Sequence, residues 1–449
     1  MVLLSNSSFR DPSGFVFQEN GRIFRQINSC YFEIYQALKK QNIFEELFAK
    51  GLLIEHKEVE CSAEKIVLEV KKLPFVSYPY EWSFSQLKDA ALLTLELQKF
   101  LICKNFSLKD ASVYNIQFIE GKPIFIDTLS IEPYQEKPWI AFGQFCRHFL
   151  YPLMLMSKID LRLNNLLKLW IDGIPGDIVD GLLPFSKKFS LDYWFYVKWL
   201  NTAQTKNQSS HKKITPKLSK KQLERLLDGL FGAINKLVPA KKSTEWGEYY
   251  TFTNYTDSAF SIKEKLVQNL IEEIQPKVVW DLGANDGRFS RLASRQGITT
   301  LAFDIDPIAV EKNYQFSKKN NEKHILSLLL DLTNPSSGIG WANQERFSLT
   351  ERANADLCMA LALVHHLAIG NNVPFEKIAE YFSSLGNNLI IEFIPKEDSK
   401  VQELLLNRED VFENYKQFNF EESFSKYFTI ERMLPIDDSL RTLYWMKKK

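Results

Sequence analysis

Two apolar runs that end in acidic residues, with a glycine-bearing turn and a helix between them, constrain this chain more than any other feature. They lie in VVWDLGANDGRFSRLASRQGITTLAFDID, from Val278 to Asp306. Gly283 and Gly287 lack a Cβ, so the backbone can take a positive φ and a ligand can approach the main chain. The stretch predicts a strand, a tight loop, a helix and a second parallel strand, the arrangement of a nucleoside-binding site.

Acidic residues occur where such a ligand would be bound. Asp281 closes the first strand, and Asp304 closes the second about 20 residues after the glycine turn, where a carboxylate can accept hydrogen bonds from both ribose hydroxyls. Asp306 and Pro307 are typical of the cap and first turn of the next helix. We therefore expect Asp304 to bind a ribose. The alternative is that the glycines only form an ordinary strand-to-helix turn.

The spacing of the strands and acids does not by itself separate a dinucleotide enzyme from a methyltransferase, but the glycine pattern differs between the two classes. Dinucleotide enzymes carry G-x-G-x-x-G, whereas this chain has D-x-G-x-x-x-G. That pattern resembles the first motif of class I S-adenosylmethionine-dependent methyltransferases, and FDIDP resembles their second. Two further apolar runs, HILSLLL before Asp331 and ADLCMALAL before His365 and His366, resemble the next two motifs, in the same order.

The resemblance implies S-adenosyl-L-methionine as the cofactor and a set of residues that bind it. The implied cofactor-binding residues are Asp281, Gly283, Ala284, Asn285, Gly287, Asp304, Ile305, Asp331, Leu332 and Ala360. His365 and His366 are the candidate catalytic residues: one ring could take a proton from the acceptor, or both could only shape the pocket wall. Asp331 could likewise be no more than a strand-end cap.

The rest of the C-terminal part completes an alternation of helices and strands. The pattern predicts a helix at Phe375–Leu385, a fifth strand at Asn388–Phe393, and a closing pair of strands at Phe428–Leu434 and Arg441–Met446. We expect an α/β fold in which residues 246–449 form a Rossmann-like, seven-stranded class I methyltransferase domain.

The segment after the fourth strand bears on the methyl acceptor. Class I enzymes that act on base amines or glutamine amides usually carry Asn/Asp-Pro-Pro-Tyr/Phe there, whereas this chain has ALALVHHLA. The net charge of +1 gives no global reason to expect nucleic acid. We therefore expect a small-molecule or glycan acceptor, with the acceptor atom left open. Tyr250 and Tyr255 are expected either to cover the cofactor or to pack as ordinary aromatic residues.

A second, weaker pattern lies in residues 1–200, after a helix predicted at Tyr31–Phe48. SLKDASVYNIQFIEGKPIFIDTLS resembles the catalytic loop of protein kinases and aminoglycoside phosphotransferases, which implies Asp110 as base and Asn115 and Asp127 as magnesium ligands. The kinase His-Arg before the base, the Phe-Gly after the metal-binding Asp and a glycine-rich loop are missing from the sequence. We expect an α+β domain that is either kinase-like or carries an ordinary polar turn at Asp110 and Asn115.

Residues 201–245 are predicted to be a basic linker and a connecting helix, because Ala203–Gln222 carries six lysines and no acid. The five cysteines lack the spacing of a zinc site or a disulfide framework, and we expect buried thiols in a reducing compartment. The apolar window Trp139–Met156 contains Arg147 and is expected to form a core helix, not a membrane span. We expect a cytoplasmic protein and leave its oligomeric state open.

Three functions are compatible with these patterns. The first is methyl transfer from S-adenosyl-L-methionine, with the N-terminal domain recognising the acceptor or serving as a scaffold. The second is an ATP-dependent phosphotransferase in the N-terminal domain, with the methyltransferase half accessory. The third is a catalytically silent protein that binds the cofactor and regulates a partner. The whole chain resembles bacterial two-domain class I methyltransferases, some of which carry labels related to nodulation or cell-surface glycan modification.

Overall fold

The chain forms two compact units. The computed structural model describes residues 3–4, 8–199, 217–240, 257–406 and 409–449. The first unit comprises Met1–Lys242 and Gly338–Arg346, and the second comprises Ser243–Ser337 and Phe347–Lys449. The described residues do not include Tyr250, Tyr255 or most of the basic stretch Ala203–Gln222. The predicted domain boundaries therefore stay predictions.

A seven-stranded sheet organises the second unit. Its strands are β10 (Val278–Leu282), β11 (Thr299–Asp304), β12 (Ile325–Leu329), β13 (Ala355–Ala360), β14 (Gly386–Phe393), β15 (Phe428–Pro435) and β16 (Thr442–Lys448). They pair in the order β12-β11-β10-β13-β14-β16-β15, with β10 to β14 parallel and the last two strands antiparallel. The predicted α/β architecture, with an antiparallel edge on an otherwise parallel sheet, is confirmed.

The strand order reverses at β10. From there the chain builds outward through β11 and β12, and then returns to the other side of β10 as β13. Asp281 on β10 pairs with Ala302 on β11 and with Met359 on β13. Ligands of open α/β sheets bind outside the carboxyl ends of the strands at such a reversal. The topology therefore brings the ends of β10, β11 and β13 to one edge.

Helices flank this sheet. Their bounds are Asp257–Ile274, Ser290–Ser294, Pro307–Lys319, Phe375–Leu385, Ser399–Leu405 and Gln417–Ser425. The first of them buries Val267 and Ile271 in a core that includes Val279 and Leu357 of the sheet. Asp306 caps the helix that begins at Pro307, because its side chain accepts a hydrogen bond from the Ile308 amide at 2.8 Å. This cap was predicted.

The first unit is α+β. Its strands are β1 (Leu3–Leu4), β2 (Gly14–Glu19), β3 (Arg22–Asn28), β4 (His56–Cys61), β5 (Lys65–Val70), β6 (Phe106–Leu108), β7 (Ile116–Ile119), β8 (Lys122–Phe125) and β9 (Ile131–Pro133). A five-stranded sheet has the order β1-β2-β3-β5-β4, and two two-stranded sheets pair β6 with β9 and β7 with β8. The main helices are Phe32–Lys40, Ile43–Ala49, Phe84–Cys103, Phe142–Phe145, Tyr151–Lys158, Gly176–Leu182 and Lys220–Lys236.

Three details of this unit bear on the predictions. The helix expected at Tyr31–Phe48 is interrupted, because Asn42 takes a φ of 54° between two shorter helices. The apolar window Trp139–Met156 is largely helical and buried, as predicted. No helix among the described residues is long and apolar enough to cross a membrane.

The expectation that all five cysteines are buried is wrong for three of them. Cys146 and Cys358 are buried, whereas Cys30, Cys61 and Cys103 are exposed. Cys61 ends the edge strand β4, and Cys103 ends a long helix. Residues at the ends of elements face solvent more often than those at their centres, and composition alone does not distinguish the two positions.

The segment Gly338–Arg346 belongs to the first unit although it lies between β12 and β13 of the second in sequence. Glu345 is buried and accepts a hydrogen bond from the Nε atom of Arg10 at 2.8 Å. The guanidinium of Arg346 lies over the ring of Tyr114, 4.4 Å from its centroid. Gly340, at a φ of 84°, packs against Glu345, where a Cβ would come within 2.6 Å of the Glu345 side chain.

Candidate cofactor site

A pocket of about 270 Å³ opens at the carboxyl edge of the sheet in the second unit. It brings together most of the residues that the sequence singled out. Those that line it are Asp281, Gly283, Ala284, Asn285, Asp304, Ile305, Asp331, Leu332 and His366. Gly287, Ala360 and His365 are not among the lining residues. The lining is completed mainly by apolar side chains, among them Phe260, Phe303 and Leu363.

The loop after β10 is shaped by backbone conformations that favour glycine. Gly283 has a φ of 82°, and its amide donates to the Phe303 carbonyl at 2.9 Å. A Cβ at Gly283 would lie 3.4 Å from Leu363, inside the pocket wall. Asn285 also has a positive φ of 50°, which asparagine tolerates better than most residues. The loop therefore exposes main chain to the pocket, as the sequence predicted for Gly283.

Gly287 is constrained by local packing. Its φ is 83°, and a Cβ there would lie 2.4 Å from Nδ2 of Asn313 and 2.7 Å from Nη1 of Arg291. Both the backbone conformation and these close side chains favour glycine at this position. Its predicted part in cofactor binding stays a prediction.

Asp304 holds the loop and faces the pocket. Its Oδ2 accepts a hydrogen bond from the Asn285 amide at 2.7 Å, and its Oδ1 accepts one from the Asp306 amide at 2.9 Å. Burial raises the pKa of Asp304 to about 6, against the opposing effect of these two donors. The carboxylate is thus ionised above about pH 6 and has the lone pairs needed for ribose hydroxyls.

Asp281 is the second buried carboxylate of the pocket. Its Oδ2 accepts a hydrogen bond from the Ser290 hydroxyl at 2.6 Å. Burial raises the pKa of Asp281 to about 7, with the Ser290 hydrogen bond acting in the opposite direction and the nearby Asp304 charge adding to the rise. Ionising a buried carboxylate is unfavourable in the ligand-free protein, and a bound cation would offset that cost.

We expect Asp281→Asn to stabilise the ligand-free protein at neutral and alkaline pH. Between the ordinary pKa of 3.8 and about 7, the folded chain retains a proton on Asp281 that the unfolded chain has released. The free energy of unfolding therefore falls as pH rises through this window, and the wild-type chain carries the full penalty above it. The variant should have a higher Tm above pH 7 and a flatter dependence of Tm on pH, measured by circular dichroism. Asp410→Asn, at an exposed position, is the control, and an unchanged or lower Tm for Asp281→Asn would contradict the prediction.

A buried ion pair that includes Lys263, a residue of the pocket lining, was not predicted. The Nζ atom of Lys263 lies 2.6 Å from Oε2 of Glu392, and both side chains are almost completely buried. The same Glu392 oxygen accepts a hydrogen bond from the Ala362 amide at 2.7 Å. Ala362 lines the pocket with a φ of 51°, a strained conformation for a residue with a Cβ. Glu392 therefore fixes the strained turn that follows β13.

The pair continues into a second buried interaction. Arg441 donates to both carboxylate oxygens of Asp398, at 2.7 and 3.1 Å, and its Nη1 atom lies 3.7 Å from Oε1 of Glu392. Two sequence signals mark single members of this network as buried, although neither indicates that the members meet. Lys263 lies on the buried face of its helix with Phe260 and Val267, and Glu392 interrupts the apolar strand NLIIEF.

The two histidines occupy different places. His366 lines the pocket, whereas His365 is buried beside it, with the ring centroids 4.0 Å apart. Burial lowers the pKa of His366 to about 4 and holds that of His365 well below its usual value. Both rings are therefore neutral near pH 7, where such a weak base accepts a proton poorly. This favours the wall-shaping interpretation over the general base.

Asp331 both caps a local turn and lines the pocket. Its Oδ1 accepts hydrogen bonds from the Thr333 amide at 2.8 Å and the Thr333 hydroxyl at 2.6 Å, which makes it a local turn cap. It also lines the pocket, next to Leu332. Ile305 contributes an apolar side chain that is 60% exposed on the same wall. These residues form an apolar and polar surface suited to a planar base.

The first unit brings Asp110, Asn115 and Asp127 together. Asp110 is hydrogen-bonded to Asn115, and its pKa is raised by burial and by the charge of Asp127. The hairpin of β7 and β8 separates Asn115 from Asp127, as the kinase resemblance implies. However, Asp127 forms an ion pair with Arg25 of β3 and accepts a hydrogen bond from Ser130. In this arrangement the residues do not fit magnesium, because an arginine already neutralises the carboxylate. No cluster of metal-binding side chains occurs in the described parts of the chain.

Comparison with solved structures gives distant likenesses. The chain is similar to WbdD, at 15% identity and a TM-score of 0.30, over 43% of this chain and 40% of WbdD. It is similar to magnesium protoporphyrin IX methyltransferase (ChlM) from Synechocystis PCC 6803, crystallised with SAH, at 15% identity and a TM-score of 0.32, over 45% and 93% of the two chains. Both TM-scores are below 0.5, and the fold is assigned from the strand order described above.

Sequence comparison gives a much closer relative. No protein-family model matches the chain. The chain is 34% identical to nodulation protein NoeA of Rhizobium meliloti (strain 1021) over 463 aligned residues, which cover 98% of this chain and 95% of NoeA. The identity thus extends over both units and the segments between them. This chain belongs to the family of nodulation protein NoeA.

Proposed function

We propose that this chain transfers a methyl group from S-adenosyl-L-methionine to a small-molecule or glycan acceptor. The observation that supports this most strongly is the pocket at the reversal of the strand order, where the Gly283 loop follows β10, Asp304 ends β11 and Asp331 comes after β12. This is the order in which the first three class I motifs occur in the sequence. When bound, the cofactor would supply an electrophilic methyl group on a sulfonium sulfur.

The residues present fit this cofactor. Asp304 would accept hydrogen bonds from the ribose hydroxyls, and Ile305 and Leu332 would contact the adenine. Asp281, the second buried carboxylate of the pocket, would form an ion pair with the amino group of the methionine part. The exposed main chain at Gly283 would allow close approach between them.

The turn after β13 would orient the acceptor. Leu363, His366, Leu367 and Asn371 line the pocket there. None of these side chains is a cation at neutral pH, since burial lowers the pKa of His366 to about 4. A neutral acceptor such as a hydroxyl group fits such a wall better than a phosphate does. We propose that His366 positions the acceptor by packing and hydrogen bonding, and that positioning supplies most of the rate.

Incubation of the full chain with methyl-labelled S-adenosyl-L-methionine and fractionated bacterial lysate tests this proposal. We expect label to appear in a low-molecular-weight or glycan fraction, and Asp304→Ala to abolish it. Binding of S-adenosylhomocysteine without any transfer of label would favour the silent regulatory protein instead. Label in nucleic acid would overturn the proposed acceptor class. The name of NoeA refers to a process and does not identify an acceptor.

For the first unit we propose a kinase-like fold whose candidate site does not catalyse phosphoryl transfer. The convergence of Asp110, Asn115 and Asp127 around a hairpin supports the fold, and the ion pair between Arg25 and Asp127 argues against the activity. Titration calorimetry with ATP, with and without magnesium, is the test. Magnesium-dependent binding that is lost in Asp127→Ala would favour an ATP-dependent phosphotransferase and contradict this part of the proposal.

A further inference from the structure

The helix Asp257–Ile274 places a lysine in the pocket of the second unit. Phe260 and Lys263 both line that pocket, and their i, i+3 spacing puts them on one face of the helix. The ammonium group of Lys263 lies over the ring of Phe289, 4.8 Å from its centroid, and Phe289 also lines the pocket. An ammonium group is attracted to the face of an aromatic ring. The positive charge is therefore held at the pocket wall.

The ion pair with Glu392 does not by itself explain a lysine at this position. The side chains of Lys263 and Glu392 are 3% and 0% exposed, and Phe289 beneath the ammonium belongs to an apolar core. Removing two charges from water is costly, and apolar side chains in the place of a buried pair are often equally stabilising. A buried charged group that lines a pocket despite this cost is a candidate for ligand binding.

The charges of the pocket indicate what Lys263 would bind. The acidic residues of the lining are Asp281, Asp304 and Asp331. Among the described residues that line the pocket, Lys263 is the one cation at neutral pH, since burial lowers the pKa of His366 to about 4. Lys263 and Asp281 are close enough for the charge of each to influence the pKa of the other, although burial has the largest effect on both. The pocket thus matches a ligand that carries both a carboxylate and an ammonium group.

Glu392 holds the ammonium group in position. Its Oε2 accepts hydrogen bonds from Nζ of Lys263 at 2.6 Å and from the Ala362 amide at 2.7 Å. Because the carboxylate is fixed by main chain as well as by the lysine, the ammonium group needs little reordering when a ligand binds. An ammonium group can donate three hydrogen bonds, so Lys263 can serve Glu392 and a ligand carboxylate at the same time.

We propose that Lys263 binds the carboxylate of the methionine part of S-adenosyl-L-methionine. This inference rests on the proposed function, in which Asp281 binds the amino group of the same zwitterion. Lys263 selects a cofactor that carries a carboxylate and positions its methionine part, and it takes no part in the transfer of the methyl group.

Isothermal titration calorimetry of the full chain with two ligands tests the inference. S-adenosylhomocysteine is compared with S-adenosylthiopropylamine, which is the same molecule without its carboxylate. We expect the wild-type chain to bind the first at least about tenfold more tightly, from the charge-assisted hydrogen bond to Lys263. Lys263→Met combined with Glu392→Gln removes both charges of the pair with little change of shape. This double variant should lose the preference.

Two control variants separate ligand binding from a structural role of the ion pair. Glu392→Gln alone keeps the Lys263 ammonium and still offers an oxygen atom to the Ala362 amide, so it should keep or increase the preference. Lys265→Met, at an exposed position of the same helix, should leave both Kd values unchanged. A purely structural role of the pair would instead make the double variant and Glu392→Gln alike. Circular dichroism shows whether each variant is folded.

The outcomes distinguish this inference from the proposed function. Equal affinity of the wild-type chain for the two ligands would overturn the inference, and this comparison needs no variant. A preference that is unchanged in the double variant would also overturn it, since another group would then bind the carboxylate. In both cases S-adenosylhomocysteine still binds, so the proposed cofactor stands. Absence of binding to either ligand would overturn the inference together with the proposed function.

Discussion

Glu392→Ala is expected to destabilise the second unit by about 3–5 kcal/mol, the usual cost of leaving one partner of a buried ion pair unpaired. Glu392 is completely buried, accepts hydrogen bonds from Lys263 and the Ala362 amide, and lies near Arg441. Its removal leaves the Lys263 ammonium without its carboxylate. Urea unfolding followed by circular dichroism measures the loss as a change in the free energy of unfolding.

A second substitution makes this expectation specific. Lys263→Met in the Glu392→Ala background removes the unpaired charge and should recover part of the lost stability. Glu380→Ala breaks the exposed pair with Lys377 and should leave the free energy of unfolding unchanged. If Glu392→Ala were no more destabilising than Glu380→Ala, the buried network would not have the role assigned to it. Glu392→Ala should also weaken cofactor binding, because it releases the strained Ala362 turn.

Asp304→Ala is expected to weaken binding of S-adenosylhomocysteine at least about 100-fold, from the loss of two hydrogen bonds to a charged acceptor at about 1.5–3 kcal/mol each. The substitution removes the acceptor for the ribose and also frees the amides of Asn285 and Asp306. Isothermal titration calorimetry gives the Kd directly. Asp304→Asn keeps one acceptor oxygen and should have a smaller effect.

The pH dependence of binding provides an independent check. Burial raises the pKa of Asp304 to about 6, so the carboxylate takes up a proton and loses acceptor capacity as pH falls through that value. Affinity should decrease as pH falls below about 7, where Asp281 takes up a proton, and should decrease further below about pH 6 in the wild-type chain but less so in Asp304→Asn. Asp286→Ala, in the same loop but outside the pocket lining, is the control and should leave the Kd nearly unchanged. Full affinity in a folded Asp304→Ala variant would contradict the proposal that Asp304 binds the ribose.

Features that depend on local sequence were predictable. The helix Phe375–Leu385 has the predicted bounds, because its apolar residues recur with the helical period. Asp304 closes its strand as predicted, and Asp331 directly follows the next strand and its flanking leucine, because strands of a parallel sheet are apolar until they reach the edge. The positive φ of Gly283 follows from the need to turn there.

Features that depend on tertiary contact were not predictable from the pattern. Lys263 and Glu392 are 129 residues apart, and nothing local indicates that they meet. His365 and His366 are neighbours in sequence, yet only the second lines the pocket, because consecutive residues of a helical turn point in different directions. Ala360, the last residue of β13, is also not among the lining residues.

The segment Gly338–Arg346 has a consequence for how the chain folds during synthesis. The first unit is completed by residues made long after Lys242, including the buried Glu345 that pairs with Arg10. Until the ribosome has released this segment, the first unit lacks the partner of Arg10 and the guanidinium that covers Tyr114. Folding therefore cannot finish in strict order from the N-terminus to the C-terminus. A fragment cut after Lys242 would resemble a nascent chain that is held at this unfinished stage.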